Sequence, residues 1–118
     1  MLICKDEINK TLEMIEGDYG LALPFELTTD DAEIISDQDN FSVKIFKEIN
    51  GQPLIEKTYS NIQNQTIEFV LTKEESNLLP VGSYYYDLDW YQGQYFLGNL
   101  VAKAVFLVKE KAGALNES

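Results

Sequence analysis

The side chains that most often carry out covalent or acid–base chemistry are scarce in this sequence. Histidine, the usual base near neutral pH, is absent, and Cys4 is the single cysteine. Cys4 has no second cysteine with which to form an internal disulfide, and with no histidine in the chain we expect no base that could activate its thiol. We therefore predict that the chain is not an enzyme and that it has no catalytic residue and no cofactor.

Two carboxylates on one strand are the strongest remaining candidates for chemistry. Asp87 and Asp89 fall on the same face of a predicted strand, about 7 Å apart by strand rise. A pair of carboxylates at such a spacing is what a glycosidase uses. Any strand with a water-facing side produces the same spacing, and we favour that interpretation: Asp87 and Asp89 are expected to face solvent.

An acidic segment begins like a calcium-binding loop. Residues 37–40 read Asp-Gln-Asp-Asn, and Glu48 falls at the twelfth position. A calcium loop needs a ligand where this chain has Phe41, and it needs a glycine where this chain has Ser42. The segment is therefore interpreted as an ordinary acidic loop, and no metal site is expected.

The charge of the chain excludes two classes of partner. Twenty acidic residues against nine basic ones give a formal net charge of −11, which would repel both nucleic acid and an anionic membrane. Aromatic residues make up 12%, which is too many for a disordered acidic tail. The N-terminus lacks the apolar core of a signal peptide, and no apolar run is long enough to span a membrane. We expect a protein made in the cytoplasm without a signal peptide.

Apolar residues recur at every second position over much of the chain, as is typical of strands with one buried face. The alternating sets are Leu12 and Met14; Tyr19, Leu21, Leu23, Phe25 and Leu27; Phe41, Val43 and Ile45; the stretch from Leu54 to Tyr59; Ile67, Phe69 and Leu71; and Tyr84, Tyr86, Leu88 and Trp90. Residues 28–40 show little periodicity and are predicted to be a loop. The pattern predicts one all-β domain over residues 1–110, followed by a polar C-terminal tail over residues 111–118.

Turn and cap signals separate these strands. Asn50-Gly51 predicts a type I′ hairpin, because both central residues of that turn need a positive φ. Thr72 and Glu75 have capping-box spacing, which predicts a short helical turn near residues 73–79. Pro24 lacks an N–H, so its strand is expected at an edge or a bend.

The last predicted strand, about residues 95–108, is apolar on both faces. The inward set would be Leu100, Ala102, Ala104, Phe106 and Val108, which leaves Val101, Val105 and Leu107 facing outward. A strand of this kind is normally covered on both sides. Two covers remain open: a loop or the tail of the same chain, such as the helical turn near residues 73–79, or a second protein. A protein interface would include Val101, Val105 and Leu107 together with three nearby tyrosines, Tyr85, Tyr91 and Tyr95, since tyrosine is enriched at interfaces.

Three segments resemble a family of phage proteins. Residues 78–88, Leu-Leu-Pro-Val-Gly-Ser-Tyr-Tyr-Tyr-Asp-Leu, are similar to an element of small phage proteins and of the N-terminal domain of upper baseplate proteins from phages of Gram-positive bacteria. Residues 71–76 are similar to that family's strand end and capped turn. Residues 16–20, Glu-Gly-Asp-Tyr-Gly, resemble its opening stretch, although Glu16 stands where arginine is common.

The resemblance implies an immunoglobulin-like antiparallel β-sandwich of about seven strands. It implies that Tyr84 is the tyrosine of the corner that opens the sixth strand, and that Tyr86 stands where antibody domains place a cysteine. The function implied is that of a virion structural protein that binds other virion proteins or itself. A capsid decoration or head protein is favoured, and a tail or baseplate component comes next. The alternative function is a carbohydrate-binding module built on Trp90, Tyr91 and Tyr95.

Overall fold

The computed structural model describes residues 2–6, 9–20, 22–26, 39–60, 62 and 66–110, and within these ranges the chain is mostly β. The alternating pattern of the sequence is the reason, because each strand has one face that must be buried. The elements are β1 (Ile3–Asp6), β2 (Thr11–Ile15), β3 (Leu23–Glu26), β4 (Asp39–Phe46), β5 (Pro53–Tyr59), β6 (Thr66–Phe69), α1 (Lys73–Ser76), β7 (Gly82–Gln92) and β8 (Tyr95–Lys109). The described ranges thus contain eight strands, where about seven were expected.

The strands form two sheets in a sandwich-like arrangement. The larger sheet has six strands in the order β1-β2-β8-β7-β4-β5, and the smaller one pairs β3 with β6. The all-β prediction is confirmed. The expectation of a purely antiparallel arrangement is wrong, because β2 runs parallel to β8. These two strands are separated by most of the domain, so no hairpin constrains their relative direction.

Most of the alternating sets point into a common core. Leu12, Met14, Phe41, Val43, Ile45, Ile67, Phe69, Tyr84, Tyr86, Leu88 and Trp90 are buried in one cluster, as the alternation predicted. Tyr19 is an exception: it is 54% exposed, because β3 begins only at Leu23. Leu21 and Leu27 lie outside the described residues. Pro24 is exposed and pairs with Glu68 in the two-stranded sheet, where each strand has a free edge.

The connections differ from expectation in two places. Asp39 and Asn40 were assigned to a loop but begin β4, and residues 28–38 lie outside the described ranges. The hairpin between β4 and β5 is present, with Ile45 opposite Ile55. Its turn is not type I′, because neither Asn50 nor Gly51 has a positive φ. The connection is longer than the two residues of a type I′ hairpin and spans residues 47–52.

The predicted capping box is present at the N-terminus of α1. The Thr72 hydroxyl accepts a hydrogen bond from the Glu75 backbone N–H (3.1 Å), and the Glu75 carboxylate accepts one from the Thr72 N–H (2.9 Å). Lys57 Nζ lies 2.7 Å from the same carboxylate. Burial opposes ionisation of Glu75, but the hydrogen bonds from Lys57 and Thr72 outweigh it, so the pKa of Glu75 is lowered. These contacts attach α1 to β5.

Candidate interaction surface

The β7–β8 hairpin dominates the large sheet and contains most of the residues singled out in the sequence. Gly93 and Gln94 connect the two strands, and Gly93 has a φ of +61°. The register between β7 and β8 shifts at three points, each of which gives β8 an extra residue opposite β7. Such bulges move side chains from one face of a strand to the other. A simple alternation along β8 therefore cannot describe which residues face the core.

Val101 illustrates the effect of a bulge. It was expected to face outward, but it lies in the core and is 8% exposed, whereas Ala102, expected inward, is exposed. The reason is that Val101 pairs with Leu88 and Ala104 pairs with Tyr86, so two residues of β8 lie opposite the single residue Asp87. The extra residue returns Val101 to the core side. The predicted outward orientation of Val101 is therefore wrong.

Asp87 is buried rather than solvated, contrary to expectation, and it holds this bulge. One carboxylate oxygen accepts a hydrogen bond from the backbone N–H of Lys103 (2.7 Å), and the other lies 3.0 Å from Lys103 Nζ. Lys103 has a φ of +51°, a left-handed conformation that costs energy for a lysine. Its ammonium group lies 3.9 Å from the centre of the Phe46 ring. The carboxylate thus binds both ends of the strained residue.

Asp89 is also buried, so the prediction that it faces water is wrong as well. Lys44 Nζ lies 3.2 Å from its carboxylate, and the Asn99 side-chain amide donates a hydrogen bond to it. Burial alone would lower the pKa of Lys44, but the hydrogen bond and charge of Asp89 outweigh burial, and the pKa of Lys44 is raised. Each of the two aspartates is thus paired with its own lysine, and they do not form a free pair of carboxylates.

The residues that resembled a calcium loop do not form a loop, because most of them belong to β4. Asp39 begins this strand and Glu48 follows its end, so about 23 Å of extended chain separates the two residues. The Asp39 carboxylate instead accepts a hydrogen bond from the indole N–H of Trp90 (3.0 Å) and lies 3.4 Å from the Gln92 amide. Among the described residues, no group of three or more potential metal ligands converges.

The tip of the hairpin exposes a patch of large apolar side chains. Tyr95 is 78% exposed, Phe96 54% and Leu97 45%. Tyr91 is half-buried, and its ring packs edge-on against Phe96 with the ring centres 5.4 Å apart. We call Tyr91, Tyr95, Phe96 and Leu97 the tip patch. Sequence reasoning identified Tyr91 and Tyr95 but missed Phe96 and Leu97, although three consecutive large apolar residues cannot all lie on the buried face of one strand.

The other predicted interface residues lie elsewhere on the sheet. Tyr85 and Val105 are cross-strand partners, and Leu107 follows opposite Ser83, all three on the face turned away from the core. They are half-buried. Tyr85 and Tyr91 are six residues apart on β7, roughly 20 Å along the strand. The structure therefore divides the predicted interface into the tip patch and an outer-face group of Tyr85, Val105 and Leu107.

The helical turn does not cover the outer-face group. It is attached through Glu75 to Lys57, whose cross-strand partner Val43 points into the core. Because β7 and β4 lie between β8 and β5 in the sheet, α1 lies at the far edge on the core side. Cover of β8 by the helical turn is thus excluded, and the tail of residues 111–118 lies outside the described residues.

No family of proteins, characterised protein or solved structure gave a significant match to this chain. Among the residues that the structure describes, no helix is long and apolar enough to cross a membrane. Fold and surface together define a mostly β, sandwich-like protein with an exposed aromatic hairpin.

Proposed function

We propose that this chain is a non-enzymatic structural module of a phage or phage-like particle and that it binds other virion proteins. We further propose that its sandwich is immunoglobulin-like. In an immunoglobulin sandwich, strands G, F and C are neighbours in one sheet, and strands B and E pair in the other. The order β8-β7-β4 and the pairing of β3 with β6 are what this topology requires.

The environment of Tyr84 supports the same topology. Its hydroxyl donates a hydrogen bond to the carbonyl oxygen of Pro80 (2.5 Å), four residues upstream, and its ring is buried. A tyrosine near the start of strand F that binds the backbone a few residues earlier is a hallmark of immunoglobulin-like sandwiches, and β7 would be strand F in this topology. Tyr86, two residues later, packs in the core between Phe25 and Phe106, with both ring-centre distances 6.5 Å. In the proposed topology it would stand where antibody domains have a disulfide.

The tip patch is the observation that carries the binding role. Large apolar side chains elsewhere on the described surface are exposed at single positions of the sequence, whereas Tyr95, Phe96 and Leu97 are exposed at three consecutive positions. A cluster of exposed large apolar side chains at one end of a hairpin is a feature of interaction sites in proteins whose cores are otherwise well packed. A head or capsid-decoration role is the first choice and a tail or baseplate role the second.

Cosedimentation tests the proposal. We expect the purified chain to sediment with empty capsids of the phage that encodes it, or with its tails, in a saturable manner and with a fixed stoichiometry. Capsids and tails are tested separately, which distinguishes the two locations. A chain that is absent from purified particles and fails to sediment with either would defeat the proposal.

A carbohydrate-binding module is the second candidate, because the exposed ring of Tyr95 offers a surface on which a sugar could stack. Trp90, which the sequence suggested for this role, is directed inward and donates its indole N–H to Asp39. The remaining stacking residues are Tyr91 and Tyr95. If the chain binds glycans, glycan-array signals will disappear when both tyrosines are changed to alanine. An array without signal for the unaltered chain would remove this candidate.

A further inference from the structure

We infer that the tip patch is an anchor that inserts into an apolar pocket on another virion protein, and that basic residues surround this pocket. The inference rests on the proposed function and specifies the chemistry of its partner. It follows from the size of the patch, the rigidity of the hairpin and the distribution of charge.

The patch is too small to hold two copies of this chain together. From the exposed fractions of Tyr95, Phe96 and Leu97, it offers roughly 350 Å² of surface. A stable protein interface buries roughly 800 Å² on each partner. Two copies would also each bring a net charge of −11 to the contact. An exposed patch of this size at the turn of a hairpin fits a recessed pocket, where a few aromatic side chains supply most of the binding energy.

The hairpin holds its tip in a defined conformation. At the base, the Trp90 indole donates to the buried Asp39 carboxylate, which also accepts from Gln92 on the last position of β7. At the tip, the edge-on contact between Tyr91 and Phe96 crosses from one strand to the other. An anchor that is already ordered loses little conformational entropy on binding, which favours affinity.

The tip itself carries no charge, in contrast to the rest of the chain. Residues 90–99 contain no acidic or basic side chain, and Asp89, which precedes them, is paired with Lys44. The contact at the pocket is therefore apolar and insensitive to salt. The net charge of −11 acts at longer range, where it speeds the approach to a basic surface and is screened by salt. An apolar pocket would accept the uncharged tip, and lysines and arginines around the pocket would attract the acidic chain.

The test measures binding of fluorescently labelled chain to the purified capsids or tails, at low and at high salt. Tyr95→Ala and Phe96→Ala are the test variants, and Tyr19→Ala is the matched control, because Tyr19 is also exposed but lies outside the patch. We expect each test variant to lower affinity at least tenfold at both salt concentrations through faster dissociation. Raising the salt should slow association of the unaltered chain, and Tyr19→Ala should behave like that chain. Circular dichroism verifies that all variants fold.

The outcomes separate this inference from the proposed function. If the unaltered chain binds particles and the tip variants bind equally well, the anchor is overturned while the virion role stands. If the unaltered chain binds no particle, the virion role fails and the partner proposed here fails with it. A dimer in sedimentation velocity that Phe96→Ala dissociates, or binding to phosphatidylcholine vesicles that Phe96→Ala abolishes, would assign the patch to a second copy or to lipid and would also overturn the anchor.

Discussion

Replacing Phe106 with alanine is expected to lower the free energy of unfolding by about 4 kcal/mol. Phe106 is completely buried at the centre of the large sheet. It lies between Leu12 on β2 and Tyr84 on β7, its cross-strand partners, and its ring meets Tyr86 edge-on. Alanine would leave a cavity at the point where the parallel pair joins the antiparallel hairpin. Rigid strands on both sides keep this cavity from closing.

Urea unfolding followed by the fluorescence of Trp90, the single tryptophan, measures this loss. Phe96→Ala is a matched control, since it makes the same change on the same strand at a residue that is 54% exposed. We expect it to lower stability by about 1 kcal/mol, because only the edge-on contact with Tyr91 is lost. The pair of variants compares a core position of β8 with a surface position. Equal losses in the two variants would contradict the core that the structure shows.

Replacing Asp87 with alanine is expected to cost about 2 kcal/mol, the second largest effect predicted here. The change removes the acceptor of the Lys103 backbone N–H and the partner of its ammonium group. The Lys103 side chain is 38% exposed, so it can turn towards water, and the cost stays below that of a fully buried pair. The strained φ of Lys103 would then no longer be compensated.

Two further variants isolate the cause of that loss. Asp87→Asn keeps an oxygen acceptor for the backbone N–H but removes the charge, and we expect it to lose about 1 kcal/mol. Glu68→Ala removes the same charge from an exposed position on β6 and should leave stability within about 0.5 kcal/mol of the original. Thermal or urea unfolding gives all three values. If Glu68→Ala costs as much as Asp87→Ala, net charge and not the bulge would explain the effect.

Local patterns were sufficient for much of the fold. The buried faces of β2, β4 and β7 follow from alternation, because a strand with one core-facing side repeats every two residues wherever pairing is regular. The capping box at Thr72 is equally local, since its two hydrogen bonds join residues three positions apart. The buried face of the aromatic strand from Tyr84 to Trp90 was predicted from alternation alone, without knowing which strands lie beside it.

Local sequence patterns predicted only part of the candidate interaction surface. Tyr91 and Tyr95 were identified from composition near a turn, but the exposure of Phe96 and Leu97 depends on pairing between strands, because β2 accompanies β8 only from Phe106 to Lys109. The burial of Asp87 and Asp89 was missed for a related reason. Their lysine partners, Lys103 and Lys44, come from two different strands that flank β7, and the sequence does not reveal which strands are neighbours.

By itself the sequence determined that this protein is an acidic, mostly β chain without histidine, whose candidate chemistry is confined to a few carboxylates and a last strand apolar on both faces. Only the tertiary structure decided which residues of that strand face the core. The bulges at which β8 slips against β7 return Val101 to the core, and they arise from pairing between strands rather than from any residue pattern within one strand. The same pairing decided that both aspartates are ion-paired and that the exposed aromatic surface lies at the hairpin tip.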